Sequence, residues 1–102
     1  MDRRLELHEE LCDILGSRNV YFQPPESVKL KYPCILYNLS TVDTWRADNK
    51  LYLRKNRYLI TVVDKNPDSK IHEDILYHFP LCSFDRSYTV DNLNHRVLVL
   101  YY

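Results

Sequence analysis

The chain has 102 residues, the size of one domain, and its 14 basic and 14 acidic side chains cancel to a formal charge of zero. That balance removes the basic excess on which general nucleic-acid or anionic-membrane binding depends, and a single glycine leaves no material for a phosphate-cradling loop. Cys12, Cys34 and Cys82 are an odd, widely spaced set that fits free thiols in a reducing compartment. No stretch approaches the ~20 apolar residues of a membrane span or forms the apolar segment of a signal peptide, so a soluble protein made in the cytosol is expected.

In residues 2–15, Leu5, His8, Leu11, Cys12 and Leu15 make a helical stripe opposite Arg, Glu and Asp, and Gly16 stands where a C-cap is needed. Residues 20–22 form a short extended piece closed by Pro24 and Pro25. After a loop, residues 32–39 are rich in strand formers and begin with Pro33 in a position an edge or strand start tolerates. Residues 40–50 are polar around a lone Trp45. Residues 51–64 read as a second long strand, with Lys55-Asn56 as a candidate interruption, and the two strands with their connection form a large hairpin. Asn66-Pro67-Asp68-Ser69 is a helix-start pattern, Ile71, Ile75 and Phe79 repeat every four residues, and Pro80 closes that helix. Residues 81–89 predict a strand, 91–94 a turn, and 95–102 a last strand. The expected fold is a single α+β domain of order α-β-β-β-α-β-β. Its sheet is mixed but mostly antiparallel, of about four to five strands, with two helices packed on one face.

The residues offer little to a catalyst. His8 and Cys12 lie one helical turn apart but on the stripe that faces the core, and no C-x-x-C or H-x-x-x-H spacing exists, so no metal or cofactor is expected. Ser83, Asp85 and His95 supply the residue types of a hydrolase, yet such trios arise by chance in any chain of this length, and no enzyme is expected. The basic run 54–57 reads as a solvated strand edge. Tyr52, Arg54, Lys55, Arg57 and Tyr58 interleave aromatic and basic groups as single-strand binders do, which keeps a small nucleic-acid-binding module as an alternative.

The strands fail to alternate. Ile35, Tyr37 and Leu39 oppose Cys34 and Leu36; Tyr58, Ile60 and Val62 oppose Leu59, Thr61 and Val63; and Val97, Val99 and Tyr101 oppose Leu98, Leu100 and Tyr102. Two helices can blanket one face only. The other is then covered by a second copy, or by a curled sheet or folded loops. Residues 40–57 are expected to form an assembly arm, because Trp45, Arg46, Asp48, Lys50, Tyr52 and Arg54 mix aromatic and charged groups without core periodicity. The competing arrangement lays Trp45 back over the open sheet face.

The runs Tyr32-Pro33-Cys34-Ile35-Leu36-Tyr37, Thr61-Val62-Val63-Asp64-Lys65-Asn66-Pro67-Asp68-Ser69 and Cys82-Ser83-Phe84-Asp85-Arg86, with Tyr88 to His95 after the last, carry a resemblance. From about Val20 to its end the chain resembles the small tail-terminator, or tail-completion, proteins that join heads and tails in long-tailed bacteriophages. The resemblance implies a homo-oligomeric ring, commonly a hexamer, at the head-proximal end of the tail. There it would stop addition of tail-tube protein and meet the head-closure or connector protein. It implies no active-site residues, cofactor, membrane or specific nucleic acid. Head-closure proteins of the same virion remain the alternative within that setting.

Overall fold

The computed structural model describes residues 3–24, 29–47 and 50–102, with side chains left aside for residue 3 and residues 41–56. It is a two-layer α+β domain in the expected order: α1 (Arg3–Leu15), β1 (Val20–Phe22), β2 (Cys34–Ala47), β3 (Lys50–Asp64), α2 (Ile71–His78), β4 (Cys82–Val90) and β5 (Leu93–Tyr101). The sheet order is β1-β2-β3-β5-β4, with β1 parallel to β2 and every other pair antiparallel.

Both helices pack on the same face. Leu7, Leu11 and Cys12 of α1 and Ile75 and Phe79 at α2 share one buried cluster with Ile35, Tyr37, Tyr58, Ile60, Val62, Leu98 and Leu100. The registers Ile35↔Val62, Tyr37↔Ile60 and Ile60↔Leu98 place those strand residues side by side. The apolar stripe of α1 runs through Leu7 and Leu11, both fully buried, while Leu5 is 56% exposed. Leu11, Cys12 and Leu15 of the expected stripe do reach the core, with Leu7 in place of Leu5, so only the first turn of the stripe is corrected. Gly16 closes the helix with φ of 80° and its N–H donates to the Cys12 carbonyl at 2.9 Å.

Two further boundaries differ from expectation. Asn66-Pro67-Asp68 does not start α2. It forms a turn in which the Asn66 N–H donates to the Asp64 carboxylate and the Asp68 N–H to the Asn66 side chain, both at 3.0 Å. Asn and Asp side chains compete for backbone donors in this way, so the helix waits until Ile71. The last hairpin is tighter than a four-residue turn: Asp91 and Asn92, with φ of 53° and 63°, make the two-residue loop, and Leu93 and Asn94 already belong to β5. Two successive left-handed residues match the twist of the flanking strands.

Among the described residues no helix covers the second face of the sheet. Its residues are nonetheless well shielded: Cys34, Val63, Val97 and Val99 are buried, and Leu36, Leu59, Thr61 and Tyr101 are half-buried. Among the described residues, the large apolar side chains exposed on that face are Tyr88 and Val90 of β4. The Tyr- and Val-rich open patch read from the sequence is therefore narrower than expected, and lies at one border of the sheet.

Candidate functional site

β2 and β3 pair along their whole length, from Cys34↔Val63 to Ala47↔Lys50. Their neighbours stop short: β1 meets β2 only at residues 35–37, and β5 meets β3 only at residues 57–64. Beyond Arg57 the hairpin continues as a two-stranded ribbon. The segment of β3 from residue 50 to 56 carries it roughly 23 Å past the sheet at ~3.3 Å per residue. The molecule accordingly measures 50 Å along one axis against 24 and 23 Å. A bulge with Ser40 as the extra residue marks the base of the ribbon, and there the Arg57 guanidinium donates to the Ser40 hydroxyl at 3.1 Å. A second irregularity makes Tyr52 the extra residue near the tip. Bulges of this kind sharpen the local twist and bend.

The expected arm residues fall on this ribbon. Trp45 and Arg46 are on β2, opposite Leu53 and Leu51; Lys50, Tyr52 and Arg54 are on β3. Asp48 lies outside the described residues, as do the side chains of the other five. The sequence reading ended the first long strand at Leu39 and allowed a break at Lys55-Asn56, whereas β2 runs to Ala47 and β3 is continuous. Backbone pairing across the hairpin holds this part as strand without the apolar alternation that would have announced it.

The other candidate groups are dispersed. His8 Nδ1 lies 2.8 Å from the Tyr37 hydroxyl, which also accepts from Arg4 at 3.3 Å, and Cys12 packs in the core. Burial, then Arg18 and Arg4, holds the His8 imidazole below its ordinary range. His78 meets the Glu10 carboxylate at 3.1 Å, and Tyr102 donates to the other Glu10 oxygen at 2.6 Å, tying both helices to the end of β5. Ser83 stands opposite Val99, four residues along β5 from His95. His95 stacks on Tyr88, and Asp85 pairs with Arg86, so the trio does not assemble. Of the interleaved aromatic and basic residues, Tyr58 is buried in the core beside Tyr37 and offers no stacking platform. Among the described residues no group of three or more His, Cys, Asp or Glu comes together as a metal site would require.

One surface escaped the sequence reading. With Ile75 and Phe79 turned inward, α2 presents Glu73, Asp74 and Tyr77 outward, and Tyr77 is 91% exposed. A shallow depression of about 360 Å³ beside it is lined by Glu73, Leu76 and Tyr77. The four-residue repeat of Ile71, Ile75 and Phe79 contained this information, since residue 77 is half a turn from residue 75.

No protein-family model matches the sequence, and no curated protein is similar enough to it to count as a match.

Proposed function

We propose that the chain is a structural virion protein of a long-tailed bacteriophage, acting by assembly and not by catalysis. It forms a ring, commonly six-fold, at the head-proximal end of the tail tube, ends tube polymerisation and joins tail to head. The observation that supports this reading is the ribbon of β2 and β3. A two-stranded hairpin alone is marginal in water, and both borders of this one are unpaired by any described strand. Such an element gains stability by lying against another surface. Its composition, with Trp45, Tyr52, Arg46 and Arg54, is that of residues that dominate contact energies. The runs that carry the sequence resemblance form the entry to β2, the β3–α2 turn and the β4–β5 hairpin, all parts of the framework that holds the ribbon.

The test is the double variant Trp45→Ala with Arg46→Glu. If Trp45 is an exposed anchor, the variant should melt close to the parent protein, since exposed substitutions usually cost within about 0.5 kcal/mol, whereas a Trp45 laid back as core would cost about 3–5 kcal/mol. It should also fail to form oligomers by native mass spectrometry, alone and with tail tubes, and leave overlong tubes or unjoined heads in electron micrographs. A stable variant that still builds normal particles removes the arm from assembly. A parent protein that stays monomeric in both settings and is absent from purified tails overturns the ring.

A further inference from the structure

We infer that the arm of one copy docks on the outer surface of α2 of a second copy, around Tyr77. The inference rests on the proposed role of the arm in assembly and names its binding surface.

Charge within this neutral chain is unevenly placed. Residues 41–56 carry Arg46, Lys50, Arg54 and Lys55 against Asp43 and Asp48, an excess of two positive charges. The helices carry the opposite sign. α1 has Glu6, Glu9, Glu10 and Asp13 against two arginines, and α2 has Glu73 and Asp74 with no lysine or arginine. Glu9 is engaged by Arg18 at 2.6 Å, and Glu10 by His78 and Tyr102. The exposed acids of α2 flank Tyr77, an aromatic ring that no packing within the subunit accounts for. Aromatic and basic residues on the arm thus meet aromatic and acidic residues on α2. That pairing permits arginine–carboxylate bonds and stacking of guanidinium on the Tyr77 ring.

The arm continues β2 and β3 past the last residues paired to β1 and β5, and within the subunit α2 packs on α1 and β4 and not closely on either arm strand. The α2 surface it meets therefore belongs to another subunit. Arm and α2 are different patches of one chain, so each copy gives one contact and receives one. Head-to-tail contacts of this kind close into rings or run on as filaments.

The test is a charge-reversal cycle on the full-length protein, followed by native mass spectrometry, alone and on tail tubes. Arg54→Glu with Lys55→Glu on the arm, and Glu73→Lys with Asp74→Lys on α2, should each raise the concentration needed for assembly about tenfold or more. The chain carrying all four substitutions should recover most of that loss. If the α2 variant assembles like the parent while the arm variant does not, the arm docks elsewhere and this inference falls alone. If neither variant is affected, the role of the arm falls with it. Loss in both without recovery in the combined chain overturns direct pairing. A photo-crosslinking side chain at position 77 gives a readout independent of stability. Crosslinks should map to residues 41–56 of another copy, and crosslinks confined to any other segment refute the inference.

Discussion

Tyr37 is where helix α1 is fastened to the sheet, and Tyr37→Phe isolates that fastening without opening a cavity. The ring is almost fully buried, touching Phe22 and Tyr58, with centroids 4.9 and 6.0 Å away. Its hydroxyl contacts His8 at 2.8 Å and accepts from Arg4 at 3.3 Å. Arg4 can only donate, so the Tyr37 oxygen accepts there, while the direction of the Tyr37–His8 bond follows the imidazole tautomer. A neutral hydrogen bond contributes about 1 kcal/mol net, and the long contact from Arg4 adds little because the same guanidinium also lies 4.4 Å over the Phe22 ring. A total of about 1–2 kcal/mol should lower the melting temperature by roughly 5–15 °C, given about 4–8 °C per kcal/mol for a domain of this size. Tyr37→Ala should cost about 3–5 kcal/mol, because it also empties the core. Thermal melts by circular dichroism at pH 7.5 decide the matter. A Phe variant within about 1 °C of the parent would show that the polar contacts contribute nothing and that α1 is held by Leu7 and Leu11 alone.

The same site makes stability depend on acid. Because burial, Arg18 and Arg4 lower the His8 pKa below 6.5, the unfolded chain binds more protons below that pH; stability is complete above 6.5 and is lost as pH falls through the folded value. His72, lowered by burial and Arg96, acts in the same direction, so melting temperature should drop below pH 6.5 and drop less in His8→Gln; parallel profiles would refute this. Burial raises the Cys34 and Cys82 thiols to about 11 each, so both should resist alkylation at pH 8 and react fully only in denaturant, as peptide mass mapping would show. Asn92 holds φ of 63°, and Asn92→Val should destabilise by about 1–2 kcal/mol in urea titrations, whereas Asn92→Gly should not.

The order of elements was legible because each framework element buries an apolar side whose spacing reveals its period: Ile71, Ile75 and Phe79 for α2, Ile35 and Tyr37 for β2. What the spacing left unread were features set by local polar competition or by backbone pairing. The late start of α2 follows from side-chain bonds of Asp64 and Asn66 to backbone N–H groups. At the first turn of α1 both Leu5 and Leu7 fit a stripe through Leu11, and only packing against the sheet chooses between them. The outer half of the hairpin has no apolar alternation in its sequence, so its mixed composition suggests a contact surface before it suggests strand.

Failed alternation in the strands suggested an open apolar face, but the shielding of Cys34, Val63 and Val97 moves the question to the borders of the sheet. Those borders are guarded. β1 is only three residues long. β4 is longer, but a register shift between Phe84 and Arg86 interrupts it, and the Asp85–Arg86 ion pair at 2.8 Å sits at that shift. Short strands, bulges and charges are the devices by which edge strands avoid unwanted pairing. The ribbon of β2 and β3 has two unpaired borders among the described strands. If assembly proceeded by adding strands to the main sheet, β4 would be the natural template, and its bulge and charges would work against it. On the proposed reading, blunting both borders of the main sheet while extending a hairpin beyond it leaves the hairpin as the contact surface. Removing the guard should therefore change how it associates: Asp85→Val with Arg86→Val should produce disordered edge-to-edge aggregates and not more rings. Size-exclusion chromatography with electron microscopy would distinguish the two, and additional well-formed rings would show that β4 had been an assembly edge after all.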